Sequence, residues 1–71
     1  MSALPVLSWR EVIKALSKAG FQTSRQKGSH IVLRRNEIIV VVPKHDQIKR
    51  GTLMEIMAQA ELTREEFLAL I

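Results

Sequence analysis

The sequence predicts an α+β fold in which one helix, three antiparallel strands and two more helices form a single domain of 71 residues. Three observations predict it. Capping boxes mark helix starts near both ends of the chain. Alternating and β-branched residues between them have the period of strands. An apolar fraction of 46% is typical of a compact globular chain. In this α-β-β-β-α-α order, all helices are expected on one face of a three-stranded sheet.

The first helix is predicted to begin at Ser8. Ser8 and Glu11 have capping-box spacing, in which each side chain accepts a hydrogen bond from the other residue's amide. Gly20 is expected to end the helix, because glycine readily takes the left-handed conformation found after helix C-termini. The apolar residues at helical spacing, expected to face the core, are Trp9, Val12, Ile13 and Leu16.

Residues 21–26 are predicted to form a half-exposed strand. They lack a helical period, and simple alternation would put Phe21, Thr23 and Arg25 on one face and the residues between them on the other. A turn at residues 27–29 is expected to follow.

The second and third strands are predicted over residues 30–35 and 38–42. In the second, Ile31 and Leu33 are expected in the core, and His30 on the opposite face. Asn36 and Glu37 form a plausible hairpin loop, and Pro43 closes the third strand. That strand is apolar on both faces, so its second face is expected to meet a partner protein or another copy of the chain.

Two more helices are predicted after a polar loop at residues 44–50. Thr52 and Glu55 have capping-box spacing, as do Thr63 and Glu66, so a helix is expected to begin at each threonine. The buried stripe expected in the second helix consists of Leu53, Ile56, Met57 and Ala60.

Composition limits the function classes. The net charge of +4 favours an anionic partner such as nucleic acid, although many small basic proteins are merely soluble. The absence of cysteine excludes disulfides, thiolate zinc sites and cysteine nucleophiles, and fits a cytoplasmic protein. No apolar run approaches the roughly 20 residues of a membrane span, so no membrane association is expected.

His30 is the strongest candidate for chemistry. Histidine exchanges protons near neutral pH, its unperturbed pKa being about 6.5. Lys27, Gly28 and Ser29 precede it in the turn, and Arg25 and Arg34 lie on the adjoining strands. If the 2′-hydroxyl of RNA is the nucleophile, a histidine can remove its proton while cations stabilise charge on the phosphate. The alternative is an ordinary surface histidine.

His45 is the other histidine and has two interpretations. It is a solvated loop residue beside Asp46, or it is a second acid-base group that protonates the leaving 5′-oxygen. Two histidines without a carboxylate cluster make a metal site unexpected, and no cofactor is predicted.

A basic cluster precedes the second helix. Lys44, Lys49 and Arg50 lie near a helix N-terminus, where free amides favour anions. The cluster is either a phosphate-binding site or a charged, solvated loop.

The motifs resemble those of the HicA toxins of prokaryotic toxin-antitoxin systems. The segments that carry the resemblance are SWREVIKAL (8–16), KAGF (18–21), RQKGSH (25–30), VVPKH (41–45), KRGTL (49–53) and QA (59–60). They extend over nearly the whole chain in matching order and spacing.

The resemblance implies a fold like the double-stranded-RNA-binding domain, metal-independent cleavage of mRNA, and inhibition by a HicB antitoxin. The catalytic histidine of the family maps onto His30. The cations proposed as phosphate contacts on this interpretation are Arg25, Lys27, Arg34 and Arg35. Glu61 stands where the family has a glycine after the second helix, so the sequence does not predict how that helix ends.

Two other functions remain as alternatives. One is a non-catalytic RNA-binding module that recognises the shape of A-form RNA through phosphates and 2′-hydroxyls. The other is a protein-interaction domain that uses the apolar face of the third strand.

Overall fold

The computed structural model describes residues 4–71 and contains three helices and three strands. The elements in chain order are α1 (Trp9–Lys18), β1 (Gln22–Lys27), β2 (His30–Arg35), β3 (Ile38–Pro43), α2 (Arg50–Gln59) and α3 (Arg64–Leu68). The strands form one antiparallel sheet in the order β1-β2-β3. The predicted α-β-β-β-α-α fold is confirmed, and it is consistent with a fold like the double-stranded-RNA-binding domain.

The helix starts are fixed by two capping boxes and one tertiary contact. The boxes predicted at Ser8 and Thr63 are both complete. The one predicted at Thr52 is wrong: α2 begins at Arg50, and its N-cap Lys49 makes no side-chain cap. Ile48 pairs with Leu7 through a 2.7 Å backbone hydrogen bond, so the extended segment ends there and the helix starts directly after it.

Two helix ends share one hydrogen-bonding motif. After α1, the Phe21 amide donates to Leu16 O and the Gly20 amide to Ser17 O, both at 3.0 Å, and Gly20 has φ 97°.

The same pair of bonds closes α2. The Leu62 amide donates to Met57 O at 3.0 Å and the Glu61 amide to Ala58 O at 3.1 Å. Glu61 has φ 58°, a conformation that favours glycine. The end of the second helix, which the sequence left undetermined, is therefore closed by Glu61 in place of the glycine.

The core lies between the helices and one face of the sheet. Ile31, Leu33, Val40 and Val42 are its buried strand residues. The buried helix residues include Val12, Leu16, Leu53, Ile56, Met57 and Phe67, and Phe21 joins them from the segment before β1. The predicted core positions Ile31 and Leu33 are confirmed, as is the stripe of α2.

An irregularity in β1 changes the face on which its basic residues lie. Thr23 is opposite Leu33 of β2, but Arg25 is opposite Val32, so the register shifts at Ser24. Residues directly opposite each other project from the same face. Arg25 therefore shares a face with Val32, away from the core, and the simple alternation predicted for Thr23 and Arg25 is wrong. One extra residue in a strand reverses the side-chain alternation beyond it.

None of the helices described within residues 4–71 is long and apolar enough to cross a membrane.

Candidate active site

His30 begins β2 next to a tight turn. Lys27 and His30 pair across the hairpin, and only Gly28 and Ser29 connect them. Gly28 has φ 59°, and positive φ at the first turn position is the pattern that glycine supplies in two-residue hairpins. The turn fixes Lys27 and His30 on the same face of the sheet. Both residues are exposed, and within the described residues nothing hydrogen-bonds to the His30 ring.

None of the helices described in residues 4–71 covers the sheet face that carries His30. This open face consists of Gln22, Arg25, Lys27, His30, Val32, Arg34, Ile39 and Val41. Its cations lie on β1 and β2, and its β3 side is apolar, with Ile39 52% and Val41 37% exposed. A shallow concavity crosses it between Arg25 and Ile39. The face therefore combines a cationic half with an apolar half.

The loop after β3 lies at the same end of the sheet as His30. His30 pairs with Pro43, and the Lys44 amide donates to Ser29 O at 2.8 Å. The His45 amide bonds back to Pro43 O at 2.8 Å, which bends the chain there, and the His45 ring is exposed. Lys44 and His45 are thus brought beside the turn that precedes His30.

The other two cations of the basic cluster lie next to the start of α1. Lys49 and Arg50 are exposed and follow Ile48, which pairs with Leu7. The Trp9 amide, two residues after Leu7, donates to His45 O at 3.0 Å. Three segments distant in sequence therefore meet around the His30 end of the sheet: the β1–β2 turn, the loop after β3 and the start of α1.

The two remaining predicted contacts, Arg34 and Arg35, lie toward the other end of β2. Arg34 is four residues from His30, roughly 13 Å at about 3.3 Å per residue, and its Nε donates to Asn36 O at 2.8 Å. It is exposed on the open face.

Arg35 is on the helix side of the sheet. Its guanidinium donates to Ala19 O at 2.6 Å and lies 4.7 Å from the centre of the Phe21 ring. Both contacts join β2 to the segment that follows α1, so the Arg35 side chain stabilises the packing of these elements.

Within residues 4–71, no group of three or more His, Asp or Glu side chains is arranged to hold a metal ion.

Comparison with protein-family models identifies the family of this chain. Residues 9–62 match the model of a family described as the HicA toxin of bacterial toxin-antitoxin systems. The chain belongs to the HicA toxin family. The matched range begins at α1 and ends just after α2, so it contains all three strands and every candidate site residue. A search of curated proteins finds no match.

Sequence reasoning about this HicA chain missed two features of the site. One is the register shift at Ser24, which brings Arg25 to the open face, and no residue type in Thr23-Ser24-Arg25 signals it. The other is the location of Trp9 beside the candidate site. Its helical spacing indicated only a core residue, and it does pack against the core, although half-buried.

Proposed function

We propose that this HicA toxin is a metal-independent endoribonuclease that cleaves mRNA with His30 as its acid-base residue. The observation that carries the proposal is the exposure of His30 on the open face, directly opposite Lys27. A proton-exchanging group beside a fixed cation is what phosphodiester cleavage without a metal requires.

The proposed reaction is an attack within the RNA strand. The 2′-oxygen gives up its proton to His30 and forms a bond to the adjacent phosphorus, while the bond from phosphorus to the 5′-oxygen breaks. The departing 5′-oxygen takes a proton. The products are a 2′,3′-cyclic phosphate and a 5′-hydroxyl, and no oxidant, metal or cofactor takes part. Lys27 would stabilise the negative charge on the phosphate oxygens.

His45 is the candidate for the group that protonates the 5′-oxygen. Its ring is exposed, and its backbone lies two residues beyond Pro43, the partner of His30 in β3. This supports a second acid-base group at the same end of the sheet.

The proposed phosphate contacts fall into two groups, one next to His30 and one farther from it. Lys27, Gly28 and Ser29 adjoin it, and Arg25 lies on the same face. Lys44, Lys49 and Arg50 would hold the RNA strand on the loop side, and Arg34 would hold it farther along the sheet. Arg35 is assigned to the fold, because its guanidinium already binds Ala19 O and the Phe21 ring.

A HicB-like antitoxin would inhibit the toxin by covering the open face. Acidic side chains would pair with the cations of β1 and β2, and apolar side chains would pack on Ile39 and Val41. The mixed character of this face supports that arrangement. An acidic, partly apolar surface would exclude RNA by steric and electrostatic means together. If a toxin-antitoxin complex left His30 open to solvent and still bound RNA, this mode of inhibition would be wrong.

The test is cleavage of labelled RNA by the purified chain in EDTA. The same RNA carrying 2′-O-methyl groups is the matched control, since it lacks the attacking hydroxyl. Cleavage of the unmodified RNA, but not of the 2′-O-methyl RNA, supports the proposal. Binding of both without cleavage would make the chain an RNA-binding module instead, and neither binding nor cleavage would favour a protein-interaction domain.

A further inference from the structure

The Trp9 side chain has two cations over its ring. The Arg10 guanidinium carbon lies 4.6 Å from the ring centre, and the Lys44 ammonium lies 5.1 Å from it. Trp9 is half-buried, so part of the indole reaches the surface. Within residues 4–71, neither charged group makes an additional hydrogen bond or ion pair. Both cations can therefore leave the ring without breaking another side-chain contact.

A second cation–aromatic pair in this protein joins elements of the fold and provides a comparison for Trp9. Arg35 lies over Phe21, which is only 2% exposed, and the same guanidinium is fixed by Ala19 O. In that pair the aromatic ring is buried, and the guanidinium has a second partner in the fold. The Trp9 ring differs because it is accessible and its cations are held by the ring alone.

The backbone places Trp9 at the candidate active site. Its amide donates to His45 O at 3.0 Å, and the neighbouring Lys44 amide donates to Ser29 O at 2.8 Å. Ser29 is joined directly to His30. The Trp9 backbone is thus linked to the turn before His30 by two backbone hydrogen bonds, through the Lys44–His45 segment.

We propose that the Trp9 ring is a binding subsite for an unstacked RNA base adjacent to the phosphate held at His30. This inference rests on the proposed function. Every nucleobase has a π face that stacks on an indole, and such stacking is generally stronger than the attraction of an exposed cation to the same ring. The base would displace Lys44 or Arg10, and the freed cation would then pair with a phosphate of the same strand.

The fluorescence of this residue provides a direct test, because the chain has one tryptophan and no tyrosine. The probes are a short single-stranded 2′-O-methyl oligonucleotide, which cannot be cleaved by 2′-attack, and an abasic oligonucleotide with the same number of phosphates. Binding of each is followed by anisotropy of an end label, and stacking by quenching of Trp9. The intact oligonucleotide should quench Trp9, and the abasic one should bind without quenching it.

Substitution of Trp9 gives an independent measurement. Trp9→Leu should weaken binding of the intact oligonucleotide by about 5- to 150-fold and leave binding of the abasic one unchanged. Trp9→Phe should retain part of the difference. A folding defect in a variant would instead weaken the binding of both oligonucleotides equally. It would not affect the quenching measured in the unmodified protein.

The outcomes separate this inference from the proposed function. Binding of the intact oligonucleotide with no quenching, or equal quenching by both probes, would overturn the Trp9 subsite and leave the RNA cleavage proposal standing. No binding of either probe would overturn both.

Discussion

Lys27 and His30 face each other across the two-residue turn between β1 and β2, and both project from the sheet face that none of the described helices covers. Their relationship depends on the hairpin register, which the positive φ of Gly28 permits. The same register places an exposed histidine beside a cation, and neither side chain takes part in the core. Substitutions at the site and substitutions in the fold are therefore expected to have separable effects.

The first prediction compares two adjacent arginines. Arg35→Met should lower the free energy of unfolding by about 1–3 kcal/mol, because it removes the bond to Ala19 O and the contact with Phe21. Arg34→Met, on the open face, should change it by no more than about 0.5 kcal/mol. Urea denaturation of both variants measures this. Equal stability losses would contradict the assignment of Arg35 to the fold.

The second prediction concerns Glu61, the non-glycine residue in the left-handed turn after α2. Glu61→Gly should stabilise the protein by about 0.5–1 kcal/mol, because relief of the left-handed conformation exceeds the added freedom of the unfolded chain. Asn36→Gly is the matched control. Asn36 has a similar φ of 54°, but asparagine tolerates this conformation well, so little gain is expected. A lower melting temperature for Glu61→Gly would show that the glutamate side chain stabilises the turn.

Much of this fold follows from local signals in the sequence. Ser8 with Glu11 and Thr63 with Glu66 begin helices as their spacing predicts, and Gly20 ends one. These features depend on residues within one turn of each other.

The features that sequence reasoning missed depend on contacts between distant segments. The start of α2 is set by pairing of Ile48 with Leu7, not by Thr52. The face of Arg25 is set by a register shift against β2. His30 was predicted as a candidate from its turn and its family resemblance. The position of Trp9 next to the loop after β3 depends on the hydrogen bond of its amide to His45 O, which joins segments distant in sequence.

The third prediction is a pH dependence of stability. The backbone amide of Thr63, and then its hydroxyl, hold the pKa of the Glu66 carboxyl below its ordinary value of 4.5. A lowered folded-state pKa means that the ionised carboxylate stabilises the fold above about pH 4.5, and that this contribution is lost as the pH falls through the folded-state pKa.

The matched variants are Glu66→Gln and Glu65→Gln. Glutamine keeps the capping geometry but does not titrate, so Glu66→Gln should lose less stability than the unmodified protein between pH 6 and pH 3. Glu65 is also in the first turn of α3 but is outside the capping box, and Glu65→Gln should retain the original pH dependence. Thermal melting across this range checks both. Parallel curves for all three proteins would contradict the prediction.

The fourth prediction is that RNA binding weakens steeply with salt. The chain has a net charge of +4 and few aromatic residues, so most of the affinity should come from phosphate contacts. Lys27→Gln should reduce the slope of log affinity against log salt by about 0.7 for single-stranded RNA, one phosphate contact being lost. Lys14→Gln on α1 removes the same charge away from the open face and should leave the slope nearly unchanged. Salt-independent binding would contradict a phosphate-dominated interface.

The fifth prediction concerns His30→Ala. The ring is exposed on the face opposite Ile31 and Leu33, so its removal should change the free energy of unfolding by no more than about 0.5 kcal/mol. The surrounding cations remain, so RNA affinity should stay within a few-fold of the original. Loss of a positioned acid-base group typically costs about 100- to 10,000-fold in rate. His45→Ala, the other exposed histidine, serves as the comparison and tests the proposed second acid-base group.

The most direct measurement is the single-turnover cleavage rate of a labelled RNA in EDTA, taken together with RNA affinity and melting temperature for the original protein and His30→Ala. If His30 is the acid-base residue, the cleavage rate should fall by at least about 100-fold, while RNA affinity and melting temperature change little. A His30→Ala variant that is folded, binds RNA and cleaves it within a few-fold of the original rate would contradict catalysis by His30.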